Sequence, residues 1–352
     1  MFPKKLISFI SQEFVFIFGL VLILLIKIIE LNPIFIDNSY HKLYFIPANI
    51  FSELLFGRFE FSFGDILYLV LPFILFTQIK KNHTRRKNIF IIIKFSLLIY
   101  IIFQIQWGLN YHRTDLHKKL SLNNNYSFEL LLKETKKIIN KTNQIHKNLS
   151  NNDTLALNLN FDRKLIINES IKSLEQVEFI NNHKIPKNIK ISTFSTINSY
   201  MGFSGYINPI TLEAQINNNT PDLYLPTTIT HEISHQLGYA AEDEANFIGI
   251  LSCMKSENDF ISYCGHVQAV RYLLNEIFNA NNEEYKEMVM ELNLGVKKNI
   301  AAASAEIEEY KNPLEPLFKK FYDKFLKINN QPKGIKSYNS VVNLIVNYGI
   351  NP

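Results

Sequence analysis

Three apolar runs crowd the first third of this 352-residue chain: Phe14 to Ile29 (FVFIFGLVLILLIKII), Phe61 to Ile79 (FSFGDILYLVLPFILFTQI) and Ile89 to Trp107 (IFIIIKFSLLIYIIFQIQW). Each approaches the ~20 residues that carry a helix across a bilayer. No other feature limits the architecture as much, because three such runs are hard to bury in one soluble core. Lys27, Asp65 and Lys94 lie near the ends of the runs or within snorkelling reach of them. The expectation is three transmembrane helices over residues 1–107, followed by an exported domain over 108–352. Lys4 and Lys5 precede the first run as they would in a signal peptide. That run continues into KIIELNP with no small-residue cleavage site, so a retained anchor is expected.

Orientation follows from the cations. Lys80 to Lys87 (KKNHTRRK) is densely basic, whereas His41 to Glu60 carries only Lys42 and Arg58. The basic loop and the N-terminus read as cytoplasmic. Everything after Trp107 then lies on the periplasmic or external side of a multi-pass protein in a bacterial inner membrane. The net charge of +5 owes much to that loop, and no basic patch with interleaved aromatics occurs elsewhere, so a nucleic-acid partner is not expected. Cys253 and Cys264 would meet an oxidising compartment there, but one pair makes no disulfide framework.

The exported part is mainly helical in pattern. Tyr126 to Asn148 and Phe161 to Phe179 space apolar residues as helices do. KIPKNIKISTFS reads as a short strand, and MGFSGYINPITLEAQINNNTPDLYLP as two short extended segments broken by Gly202, Gly205 and Pro209. From Pro226 to the C-terminus the pattern is again helical. The fold class expected is therefore mainly α, with three membrane helices and a mostly helical α+β domain holding a small sheet.

Within that domain THEISHQLGYAAEDEANF, Thr230 to Phe247, contains H-E-x-x-H. Two histidines four apart on a helix share a face, so His231 and His235 can direct their rings at one Zn2+ ion. Glu232, one step round, can take the proton of an attacking water while zinc polarises a carbonyl. A third ligand is needed. Gly238 can end the helix and reverse the chain, bringing back Glu242 or Glu244. Glu242 is favoured because Asn246, four residues on, can support it. Tyr263, His266 and Arg271 are oxyanion candidates by nearness in sequence.

H-E-x-x-H followed by E-x-x-A-N resembles the glutamate-ligand zincins. That resemblance implies Glu242 as third ligand, and an upstream strand pairing with substrate, a role for Gly205, Tyr206 and Asn208 in GYIN. A wider likeness rests on the three runs, WGLNYHR at Trp107 to Arg113, GFSGYINPITLEAQIN at Gly202 to Asn217, the HExxH motif and FLKINNQPKGIKSYNSVVNLIV at Phe325 to Val346. In these the chain resembles a bacterial membrane family known as domain of unknown function 3810. It departs from the family pattern at Leu212, in a turn expected to hold glycine, and at His112. The function these readings imply is a membrane-anchored zinc metallopeptidase acting on a peptide or protein. The alternative is a zinc-holding membrane scaffold or sensor of zincin-like fold without turnover.

Overall fold

The apolar runs fold as helices, but the first does not lead into a loop. The structure, a computed structural model, describes residues 4–159, 161–180, 184–334 and 340–349. Helix α1 (Lys4–Ile29) ends at a sharp corner. There the Asn32 side chain accepts from Phe35 N (3.0 Å) and Pro33 sits in the first turn of the next helix, α2 (Pro33–Phe56). The two helices bend by 100°. A ten-residue π-helical stretch, Ile36–Phe45, forms the middle of α2. Helices α3 (Phe63–Gln78) and α4 (Arg85–Gln106) follow.

Three independent spans are therefore not what these residues form. Among the described residues α4 alone is long and apolar enough to cross a bilayer, and α1 with α2 can count as one broken span. Helix α3 has only 16 residues. The reason lies in His41 to Glu60, which reads as a sparsely charged loop but is helical as far as Phe56, with Leu43, Phe51 and Leu54 exposed. These one or two apolar helices point to membrane association.

Beyond α4 the chain is mainly helical, with one mixed three-stranded sheet. Helix α5 (Phe128–Ser150) starts where Ser127 Oγ accepts from Leu130 N (3.1 Å) and ends at the left-handed Asn151. Helix α6 (Arg163–Ser173) precedes β1 (Lys190–Ile191), α7 (Ser195–Met201), β2 (Gly205–Ile207) and β3 (Ala214–Ile216). The sheet order is β1-β3-β2, with β1 parallel and β2 antiparallel to β3, so β2 is an edge strand.

Next come α8 (Leu225–Gln236), α9 (Glu242–Met254), α10 (Asp259–Ala280), α11 (Asn282–Glu291), α12 (Leu294–Glu308), α13 (Glu315–Ile328) and α14 (Val341–Tyr348). The helical pattern after Glu242 is interrupted at Asn258, whose side chain caps α10 by accepting from Phe260 N and Ile261 N. The main core runs through the packed faces of α5, α8, α9 and α10, including Ile138, Ile229, Ile233, Phe247, Leu251 and Val270, all fully buried. Burial of each such side chain stabilises the fold by about 1.5–3 kcal/mol. Cys253 and Cys264 are free and buried in this core.

The change in composition near Trp107 is not a break in packing. Lys190 and Glu213 form a buried ion pair (2.5 Å) beneath the α2–α3 corner. Lys190 also donates to the Phe56 and Phe61 carbonyls (2.8 and 2.9 Å), and Glu213 accepts from Gly64 N (2.6 Å). Asp65, a misfit in an apolar run by sequence, is buried on the sheet side, where it accepts from Thr193 N (2.7 Å) and the Tyr206 hydroxyl.

Candidate metal centre

Helix α8 starts where Pro226 suits a first turn, and its end decides the site. Gly238 takes a φ of +85°, its N–H donating to the His235 carbonyl (2.8 Å), while Tyr239 N donates to the Ser234 carbonyl (3.1 Å). This paired closure is the Schellman motif, and it reverses the chain. A Cβ at Gly238 would stand 2.6 Å from the His41 ring, so both the backbone and the space select glycine. Helix α9 then begins at Glu242, directed back at α8.

The result gathers three side chains from two helices. Glu242 lies 3.4 Å from His231 Nε2 and 3.8 Å from His235 Nε2, and one ligand atom from each of the three lies within 4.8 Å of the others. This cluster can hold a metal ion. His235 Nδ1 sits 2.7 Å from the Tyr239 carbonyl, which can only accept. That contact places the proton on Nδ1 and leaves the Nε2 lone pair facing the cluster. The turn that reverses the chain thus also orients a candidate ligand. Glu232 Oε2 is buried without a hydrogen-bond partner, which is costly unless something cationic or protic meets it.

Electrostatics set the groups apart. Burial pushes the Glu232 carboxyl up to about 8; Glu242's charge adds to that and His231 opposes it. Burial would raise Glu242 as well, but hydrogen bonds from His231 and Tyr322, with the nearby imidazoles, hold it down at about 2. Burial and the neighbouring His231 lower His235 to about 4. His231 is raised against its burial, first by its hydrogen bond to Glu242.

The other site residues read from the sequence divide. Glu244 turns away from the cluster, and its Oε1 accepts from Leu116 N (2.5 Å). Asn246 stands beside His231, accepts from the Tyr272 hydroxyl (3.2 Å) and donates to the Glu242 backbone carbonyl (2.7 Å). It supports the turn of helix that carries Glu242 rather than the carboxylate itself.

Gly205 and Tyr206 line a cleft of about 890 Å3 that also contains His231, Glu232, His235 and Glu242. A Cβ at Gly205 would meet Glu232 Oε1 at 2.6 Å, so this strand residue must lack a side chain for Glu232 to stand where it does. Asn208 does not line the cleft. Its side chain accepts from Ile210 N and Thr211 N (3.0 and 3.1 Å), shaping the turn between β2 and β3. In that turn, expected to hold glycine, Leu212 adopts a left-handed φ of +55° with its side chain buried.

The oxyanion candidates lie elsewhere. Tyr263 is buried in the core and donates to Asn299 (3.1 Å). His266 is bound to the Ser262 carbonyl through Nδ1 (2.8 Å), and Arg271 packs over the Tyr224 ring. None lines the cleft, because helical spacing turns these faces of α10 into the core and toward a second cavity. Residues that sequence reading passed over take the wall positions. Tyr322 on α13 donates to Glu242 Oε1 (2.6 Å), Tyr272 lines the cleft beside Asn246, and Trp107 lies edge-on to His235 with ring centres 5.7 Å apart. Tyr322 lies 80 residues from Glu242, and no local pattern marks it.

No curated protein and no solved structure matches the chain in the comparisons made. One family does match, over residues 40–346, a stretch that includes α3, α4, the sheet and every residue of the His231, His235 and Glu242 cluster. The chain belongs to the family described as Protein of unknown function (DUF3810).

Proposed function

We propose that the protein is a membrane-anchored zinc metallopeptidase of zincin-like fold. The observation that carries this reading is the convergence of His231, His235 and Glu242, with Glu232 beside them, on one wall of a cleft. Two imidazole nitrogens and one carboxylate oxygen are a donor set that suits zinc and leaves a coordination place open. A zinc ion held there would polarise a substrate carbonyl and acidify water. The remaining steps belong to this chain's own groups. Glu232, raised by burial, takes a proton from the attacking water and returns it to the leaving amine. Edge strand β2 offers its unpaired side to an extended peptide, which pairs with it beside Glu232. Tyr322 and Tyr272 add phenol side chains to the lining of the cleft.

The basic loop at Lys80 to Lys87 supports a cytoplasmic position for that loop, and so an external or periplasmic cleft in a multi-pass protein. Glu232→Gln retains zinc and loses cleavage of a peptide library, whereas His231→Ala loses both; metal is read by mass spectrometry on purified protein. Cleavage surviving in Glu232→Gln would overturn the mechanism. Zinc bound stoichiometrically with no cleavage by the wild type would favour a scaffold or sensor.

A further inference from the structure

Helix α13 has two faces that require different surroundings. One turns inward, where Tyr322 reaches Glu242 and Leu326 is fully buried. On the other, Leu314 just before the helix and Leu317, Phe321, Phe325 and Ile328 within it recur at intervals of three or four residues and so form one stripe, with Phe325 at the edge it shares with the cleft. All five are exposed, Phe321 at 62% and Ile328 at 77%. A contiguous apolar stripe of this kind on a water-facing helix marks a contact surface.

Charge narrows the partner. Lys320, Lys324 and Lys327 are exposed along one border of the stripe, and α13 carries four lysines against Glu315 and Asp323. An apolar stripe edged by lysine is the composition of a helix lying in the headgroup boundary of an anionic bilayer. Position agrees. The Phe325 ring lies 5.8 Å from Phe103 in the last turn of α4, and 6.5 Å from Tyr111 just beyond it. The stripe thus starts at the end of α4, which among the described residues is the one helix long and apolar enough to cross a bilayer.

We infer that α13 is a lipid-contacting helix, its stripe set into the outer headgroup boundary of an anionic membrane. The inference rests on the reading that α4 crosses that membrane. Because the reverse face of α13 carries Tyr322 into the cleft, the helix is at once a wall of the site and its seat on the bilayer. A cleft so seated takes polypeptides that are themselves held at the membrane surface.

The test labels full-length protein in nanodiscs containing phosphatidylglycerol. Cys253 and Cys264 are fully buried, so a thiol-reactive fluorophore reports only an introduced cysteine, at Phe321→Cys or, within α4, at Ile93→Cys. Both positions are exposed, so both variants are expected to fold. Brominated acyl chains should remove most of the emission at both positions. Bromines deep in the chain should act best on position 93 and shallow ones on position 321, with aqueous iodide ineffective at 321. Quenching by lipid at 93 together with free access of iodide to 321 overturns the inference while leaving the anchor intact. Shielding of 321 from both quenchers overturns it too, since a protein surface then covers the stripe. Absence of lipid quenching at 93 removes the membrane reading itself.

Discussion

Glu242 is held by the Tyr322 phenol and by His231, and the phenol contact can be removed singly. Tyr322→Phe deletes only the hydrogen bond to Oε1, and loss of such a supporting contact typically costs 10- to 100-fold in metal affinity or turnover. Competition with a chromogenic chelator should show this for Tyr322→Phe, whereas Glu244→Gln, on the side chain turned to Leu116, should keep metal affinity. The neighbouring Glu232 gives a pH signature in metal-free protein. Its folded pKa is raised from 4.5 to about 8, so its contribution to stability is full below pH 4.5 and is lost as pH rises toward 8. Glu242, lowered to about 2, acts oppositely and loses its contribution only as pH falls below 4.5. In chelator, the stability gained by Glu232→Gln should therefore grow between about pH 4.5 and 8, by at most about 1.4 kcal/mol per unit, read from paired melting curves. A gain that does not change with pH would show that Glu232 is not the buried carboxyl described.

At the scale of elements, the turn after α8 and the turn between β2 and β3 carry the positive φ values that matter. Gly238→Ala meets both an unfavourable φ and the His41 ring, and should cost on the order of 1–3 kcal/mol. It should also weaken metal binding, because the Tyr239 carbonyl that aligns His235 moves with the turn. At Leu212, Ala keeps the strained φ and loses the packing, while Gly loses the packing but relieves the strain. Leu212→Gly should therefore be less destabilising than Leu212→Ala, by about 1 kcal/mol in denaturant unfolding. These elements also show what a sequence can disclose. His231 and His235 are four apart on one helix, and the reversal at Gly238 brings back the following acid, so the cluster was legible from short-range spacing. Its supports were not. Tyr322 arrives from a helix 80 residues beyond Glu242 and Trp107 from just past the end of α4, and only tertiary packing brings them to Glu242 and His235. Tyr263, His266 and Arg271 failed for the converse reason, since nearness in sequence on α10 did not put their faces toward the cleft.

For the whole molecule, apolar run length pointed to membrane association but miscounted the spans, because it ignored the corner at Asn32 and the helical character of Pro33–Phe56. Composition likewise suggested a boundary near Trp107 that packing does not respect. The buried Lys190–Glu213 pair joins the two sides, and Lys190→Met would leave Glu213 uncompensated at a cost of about 3–5 kcal/mol. That variant should become sensitive to limited proteolysis in the α2–α3 corner, whereas exposed changes such as Lys286→Met should not. The same junction has a mechanical meaning. A catalytic part on a flexible tether sweeps a range of heights above its anchor, with a reach that grows with linker length. Here Lys190, Glu213 and Asp65 bolt the sheet directly to the helical corner, so strand β2 and Glu232 keep a constant elevation. In the proposed reading the site works as a ruler, and which bond it would cut is set by how far along a substrate that fixed elevation falls.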